Sequence, residues 1–129
     1  MVLAIVCTNR GEVDEALLLL EPLHELLDSF DPLGEFSFVL SATAYLFVWI
    51  EQWVQAYCML DRMISAARTA GAPAVLAVPL ALHSDFELCR RKIAAAYAAA
   101  SESAQLAVSA LGETGESRER GLIAGRSPG

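Results

Sequence analysis

Apolar residues recur along this chain at helical spacing. Trp53, Ala56, Tyr57, Leu60, Ile64 and Ala67 follow one another at intervals of one to four, which gathers them on one side of a helix. Gln55, Arg62 and Arg68 fall on the side left for water. The pattern predicts a helix over Trp53–Ala70. Gly71 should stop it, because glycine takes the left-handed terminal conformation without a Cβ penalty. Pro73 restarts the chain as a helix to about Cys89, with a bend expected at Pro79, where an interior proline removes a hydrogen bond. The Gly71–Pro73 turn predicts that these two helices form an antiparallel pair, with Ala56 at their close crossing.

Upstream, a helix is expected from about Glu12 to Asp28. Glu12, Asp14 and Glu15 place negative charge at its exposed amides, and Pro22 requires it to bend or divide. Asp31 and Pro32 read as the cap and first residue of another helix, reaching about Ile50. Downstream, Arg91 to Leu111 is rich in alanine, which favours helix but buries little area, so this helix needs a neighbour. After Gly112 the chain carries Gly115, Gly121, Gly125, Pro128 and Gly129 without a sustained apolar pattern. A repeat domain over residues 1–115 and a disordered or weakly ordered tail over 116–129 follow from this reading.

Setting Val13, Trp53 and Ile93 in register exposes a forty-residue echo: VDEALLLLE, WVQAYCMLD and IAAAYAAAS. Alanine stands fourth in each, as Ala16, Ala56 and Ala96. Tyr57 and Tyr97 agree at the fifth place, and Glu21, Asp61 and Ser101 are polar at the ninth. Forty residues accommodate two helices and two turns.

In GEVDEALLLLEPLHELLD, QWVQAYCMLDRMISAARTAGAP and KIAAAYAAASESAQLAVSALGETG the chain resembles the helical-repeat region of large bacterial LuxR-type transcriptional regulators, an extended form of the tetratricopeptide repeat. The resemblance implies an all-α fold of tetratricopeptide-like helical hairpins, with about five main helices in a short right-handed solenoid. Leu3 to Arg10 would then end an earlier helix. It also implies a protein or small-molecule ligand, and flanking ATPase and helix-turn-helix domains. This sequence carries no GxxxxGK[ST] phosphate loop and no basic recognition helix, so it reads as a fragment, a truncated product or a detached repeat module.

Composition narrows the function classes. The 129 residues suit one domain, and 55% hydrophobic content excludes an intrinsically disordered chain. Nine Lys plus Arg against 16 Asp plus Glu give a formal charge of -7. Arg90, Arg91 and Lys92 form the one dense basic cluster and read as a solvated corner, so nucleic-acid binding is not expected. Residues 36–50, FSFVLSATAYLFVWI, lack charge but are too short to cross a bilayer and read as a buried helix. Met1 to Val6 carries no basic secretion signal, and a cytoplasmic location is expected. Cys7, Cys58 and Cys89 lie in apolar sequence and read as core residues rather than a disulfide framework.

Candidate chemistry is sparse. His24 has Glu21, Glu25 and Asp28 nearby, as expected on a solvated helix face. His83, with Asp85 and Glu87 beyond it, interrupts an apolar helix but supplies at most two ligands with Glu87, short of a zinc set. Ser101, Glu102 and Ser103 have no histidine close in sequence. No catalytic, cofactor-binding or metal-binding residue is assigned. The expected function is a non-catalytic interaction or ligand-sensing module, the alternative being a remnant or an oligomerising structural module without independent function. Self-association is expected through Ile93, Ala96, Tyr97, Ala100 and Ala104, on a stripe of the last helix that no later apolar helix covers.

Overall fold

A computed structural model describes the backbone of residues 1–124 and the side chains of residues 1–115 and 120. The described residues form α1 (Val2–Asn9), α2 (Val13–Leu20), α3 (His24–Ser29), α4 (Ser37–Trp49), α5 (Trp53–Thr69), α6 (Pro73–Cys89) and α7 (Ile93–Ala124). A 3₁₀ turn over Glu21–Leu23 joins α2 to α3, so the division expected at Pro22 is a local tightening of one broken rod.

Four connections share one geometry. After α1, α4, α5 and α6 the chain takes a positive φ at Gly11, Glu51, Gly71 and Arg91, of 77°, 60°, 60° and 60°. The next amide then bonds back to a carbonyl of the last turn: Glu12 to Cys7 at 2.9 Å, Gln52 to Phe47 at 2.8 Å, Ala72 to Ala67 at 2.9 Å and Lys92 to Glu87 at 2.8 Å. This is the Schellman closure, and the residue that completes it accepts the first bond of the following helix. The α3–α4 connection differs. There Asp31 Oδ1 accepts from the Leu33 amide at 2.9 Å, and the Gly34 amide bonds to the Asp31 carbonyl, closing a turn. The helix expected from Asp31 therefore starts only at Ser37.

Small residues set the hairpins. Ala4 and Ala16, then Ala44 and Ala56, are wholly buried at twelve-residue separations across the α1–α2 and α4–α5 connections. Ser84 and Ala96 hold the same places across α6–α7, where the Ser84 hydroxyl donates to the Ala96 carbonyl at 2.8 Å. Between α5 and α6 the corresponding pair is Ile64 and Leu76, buried with Ala67 and Leu80. Ala56 belongs to the main core with Leu40, Ala44, Phe47 and Leu60 as well as Phe86 of α6. Its position is thus shared between the α4–α5 hairpin and α6, rather than confined to the α5–α6 crossing. Each large buried side chain in this core contributes about 1.5–3 kcal/mol by leaving water.

α1–α2, α4–α5, α5–α6 and α6–α7 pack as successive helices, and α1–α4 and α4–α6 also meet directly. Neither α2–α5 nor α5–α7 forms a comparable interface, so grooves open on the α2–α5–α7 side. The result is an all-helical stack of hairpins. No described helix is long and apolar enough to cross a membrane. The uncharged run over residues 36–50 is mostly α4, which buries Leu40, Thr43, Ala44, Leu46, Phe47 and Val48.

α6 carries Pro79, a fully buried residue, inside one continuous helix. Other expectations change. α7 does not stop near Leu111 but runs to Ala124, with Gly112 and Gly115 inside it; residues 125–129 of the expected tail lie outside the described residues. Tyr57 is about half exposed, and Met59 and Met63 complete the buried face of α5. Arg62, expected to face water, donates to the Leu27, Asp28 and Phe30 carbonyls, tying α5 to the C-terminal end of α3.

Candidate functional site

The forty-residue register extends well beyond the helix starts and relates many of the residues that line the two grooves. The first lies between α2–α3 and α5 and is lined by Leu17, Glu21, His24, Asp28, Phe47, Met59 and Arg62, among others. Adding forty to each number gives Tyr57, Asp61, Ile64, Arg68, Glu87, Ala99 and Glu102, all of which line the second groove, between α5 and α7. An ion pair bridges each groove at the same place with its charges exchanged. Arg62 lies 3.8 Å from Asp28, and Arg68 lies 3.0 Å from Glu102.

The floors differ. In the first groove Phe47 is 1% exposed, and the His24 ring stacks on it at 5.6 Å between centroids. His24 is therefore half-buried against an aromatic, not a free surface histidine. In the second groove the equivalent floor residue is Glu87, 5% exposed, and His83 lines the groove beside it. This cleft encloses about 450 Å³.

The side chains of His83, Arg90 and Lys92 approach Glu87 to within ion-pair distance. His83 Nε2 and Arg90 stand 3.8 and 3.9 Å from Oε1, and Lys92 Nζ stands 3.8 Å from Oε2. None of these is short enough for a hydrogen bond, and Oε2 of Glu87 and Nδ1 of His83 are buried without a hydrogen-bond partner among the described residues. Buried polar atoms left in that state are costly and uncommon. Local structure explains the position: Glu87 lies in the last turn of α6, and its own carbonyl takes the closing bond from Lys92. The turn thereby brings Lys92 back beside the carboxylate. The arrangement can supply a hydrogen-bond acceptor at the floor, with Asp61, Tyr57 and the Arg68–Glu102 pair around the mouth.

The other sequence candidates separate. Asp85 does not join His83 but lines a cleft on the opposite layer. Of the basic cluster, Arg90 and Lys92 turn to Glu87, and Arg91 occupies the positive-φ position. Ser103 donates to the Ala77 carbonyl at 2.7 Å, a packing bond between α6 and α7. Ala96 is buried beneath Ser84 and does not belong to the open stripe, whereas Ile93, Tyr97, Ala100 and Ala104 are exposed.

The cysteines are free; Cys7 is buried, but Cys58 and Cys89 are exposed, contrary to the expectation of core packing for all three. Cys7 lies with Glu12 and Glu15, their ligating atoms within 4.8 Å. Burial pushes the thiol above its ordinary value, and the Glu12 and Glu15 charges push it further against an opposing effect of Arg10. These effects oppose formation of the thiolate, the form in which a cysteine ligates a metal.

Sequence reasoning missed the equivalence of Phe47 and Glu87, although the register already on hand would have aligned them. Comparison with family models, curated proteins and solved structures finds no match to this chain.

Proposed function

We propose that this protein is a non-catalytic binding module of stacked helical hairpins that receives a polar small molecule in the groove between α5 and α7. One observation carries the reading: Glu87 is buried at a place where the same architecture, forty residues earlier, takes Phe47. The fold thus accepts an apolar floor, and the carboxylate is attributed to recognition. The ligand would offer a hydrogen-bond donor to the Glu87 carboxylate where it lines the groove. The resemblance to LuxR-type regulator repeats supplies the setting within this proposal: a right-handed, tetratricopeptide-like stack in the cytoplasm, in which ligand occupancy controls attached domains.

Glu87→Phe tests the assignment. Arg90 and Lys92 are partly exposed and would not be stranded in a dry interior, and Ala99 leaves space where the first groove has Met59. Unchanged or raised stability in thermal denaturation is expected. Breaking a required buried ion pair would instead cost about 3–5 kcal/mol, and such a loss would make Glu87 structural. A thermal-shift screen of amino acids, sugars and nucleosides completes the test. Stabilisation by one class in wild type and its loss in Glu87→Phe is the supporting result.

A second reading rests on a separate observation. Ile93, Tyr97, Ala100, Ala104, Ala107 and Leu111 recur at alternating intervals of four and three, and all are exposed. They form a heptad-like seam beside the face through which α7 packs on α6. In this reading the seam of one copy receives that of another.

A further inference from the structure

On the α1–α4–α6 layer, opposite the grooves, a cleft of about 520 Å³ is lined by Tyr45, Trp49, Glu51, Trp53, Asp85 and Cys89, among others. We propose that this cleft binds a small organic cation, an alkylated ammonium compound, between its aromatic rings and the carboxylates of Glu51 and Asp85. The site is distinct from the Glu87 groove and does not depend on the function assigned there.

The aromatic groups are displayed rather than consumed in packing. The Tyr45 and Trp49 rings lie 5.6 Å apart at 55°, and the residues are 40% and 59% exposed. Trp53, the first residue of α5, closes the side toward Phe86. Aromatic faces attract cations through their quadrupole, and a cation with alkyl substituents also gains from leaving water.

The electrostatics have one sign. Glu51 and Asp85 make no ion pair among the described residues, and no Lys, Arg or His lines the cleft. The C-terminal ends of both α4 and α6 lie at the cleft, through Trp49 and Cys89, adding the negative ends of two helix dipoles. A cation satisfies all four sources at once, whereas an anion opposes them.

The internal repeat shows that the architecture does not demand these residues. Forty positions before Trp49, Glu51 and Trp53 stand Asn9, Gly11 and Val13 in the same turn between helices. Glu51 occupies the left-handed position, with φ of 60°, where Gly11 serves in the first turn. Arg91 holds the equivalent position in the third turn, so the place accepts different side chains, and in this turn it carries a carboxylate beside two tryptophans that the earlier turn lacks.

The sequence contains two tryptophans, and both line this cleft, so intrinsic fluorescence reads it directly. The full chain is titrated with choline and, separately, with its neutral isostere 3,3-dimethyl-1-butanol, at constant ionic strength. A saturable fluorescence change with choline is expected, with the neutral isostere at least about tenfold weaker. Glu51→Gln with Asp85→Asn should weaken choline by about tenfold or more while circular dichroism and melting remain those of the wild type. Should those variants unfold, Trp49→Leu, at an exposed position, provides the second test and should also reduce binding. No saturable change at millimolar choline, equal binding of the neutral isostere, or undiminished affinity in a folded variant would overturn the proposal.

Discussion

The Ser84 hydroxyl donates to the Ala96 carbonyl at 2.8 Å, joining α6 to α7 at the positions held in the preceding hairpin by Ala44 and Ala56. Small side chains at both places let the helix backbones approach, and in the third hairpin the approach is close enough for a side chain to reach the neighbouring main chain. Ala56→Leu should therefore overpack the core and cost about 1–3 kcal/mol in thermal denaturation. Ala95→Leu, exposed on α7 and outside the Ile93–Leu111 seam, serves as the control and should change stability by less than about 0.5 kcal/mol. Equal melting temperatures for the two variants would remove the crossing from its assigned place.

The positive-φ turns allow a test in which side-chain packing plays little part. A Cβ added at Gly71 meets nothing within 4 Å, so Gly71→Ala is opposed only by backbone conformation and should cost about 1 kcal/mol. Glu51→Gly relieves the same constraint and should be neutral to slightly stabilising, because the relief is offset in part by the greater freedom that glycine gives the unfolded chain. Chemical denaturation of both variants checks the opposite signs.

Cys7 supplies a pH dependence. Its folded-state value is raised by burial and by Glu12 and Glu15, so at alkaline pH the unfolded chain loses the thiol proton before the folded protein does. The unfolded state then binds fewer protons, and stability must fall as pH rises from the ordinary thiol range toward the folded value. Below that range the contribution is fully present. Comparing wild type with Cys7→Ala in urea at increasing pH should show a shallower alkaline decline in the variant; parallel declines would assign the effect elsewhere.

Self-association through α7 is checked by sedimentation. Ile93 and Tyr97 are 62% and 75% exposed, so Ile93→Lys with Tyr97→Glu should leave the fold intact. A concentration-dependent dimer in wild type and a monomer in the double variant are the expected results. A wild-type chain that stays monomeric at high micromolar concentration would end this reading.

Most of the helices, and the repeat that relates them, were legible in the residues alone, although α4 begins at Ser37 rather than Asp31 and α7 runs to Ala124 rather than Leu111. Gly71, Pro73 and the three- and four-residue apolar intervals mark α5 and α6 closely, because terminating and restarting a helix are local events governed by φ and by the missing proline amide. Ala16, Ala56 and Ala96 announced the repeat, since a position that must remain small leaves its mark on composition. The tertiary structure decided what these helices do to one another. Nothing local distinguishes Arg62, which closes the end of α3, from Arg68, which spans a groove to Glu102. Nor does local sequence say that Ala96 is covered while Ala100 is open, because that depends on which side of α7 meets α6. The candidate sites depend still more on the stack. Glu87 becomes a groove floor, and Glu51 and Asp85 become neighbours across a cleft, only when helices separated in sequence are laid side by side.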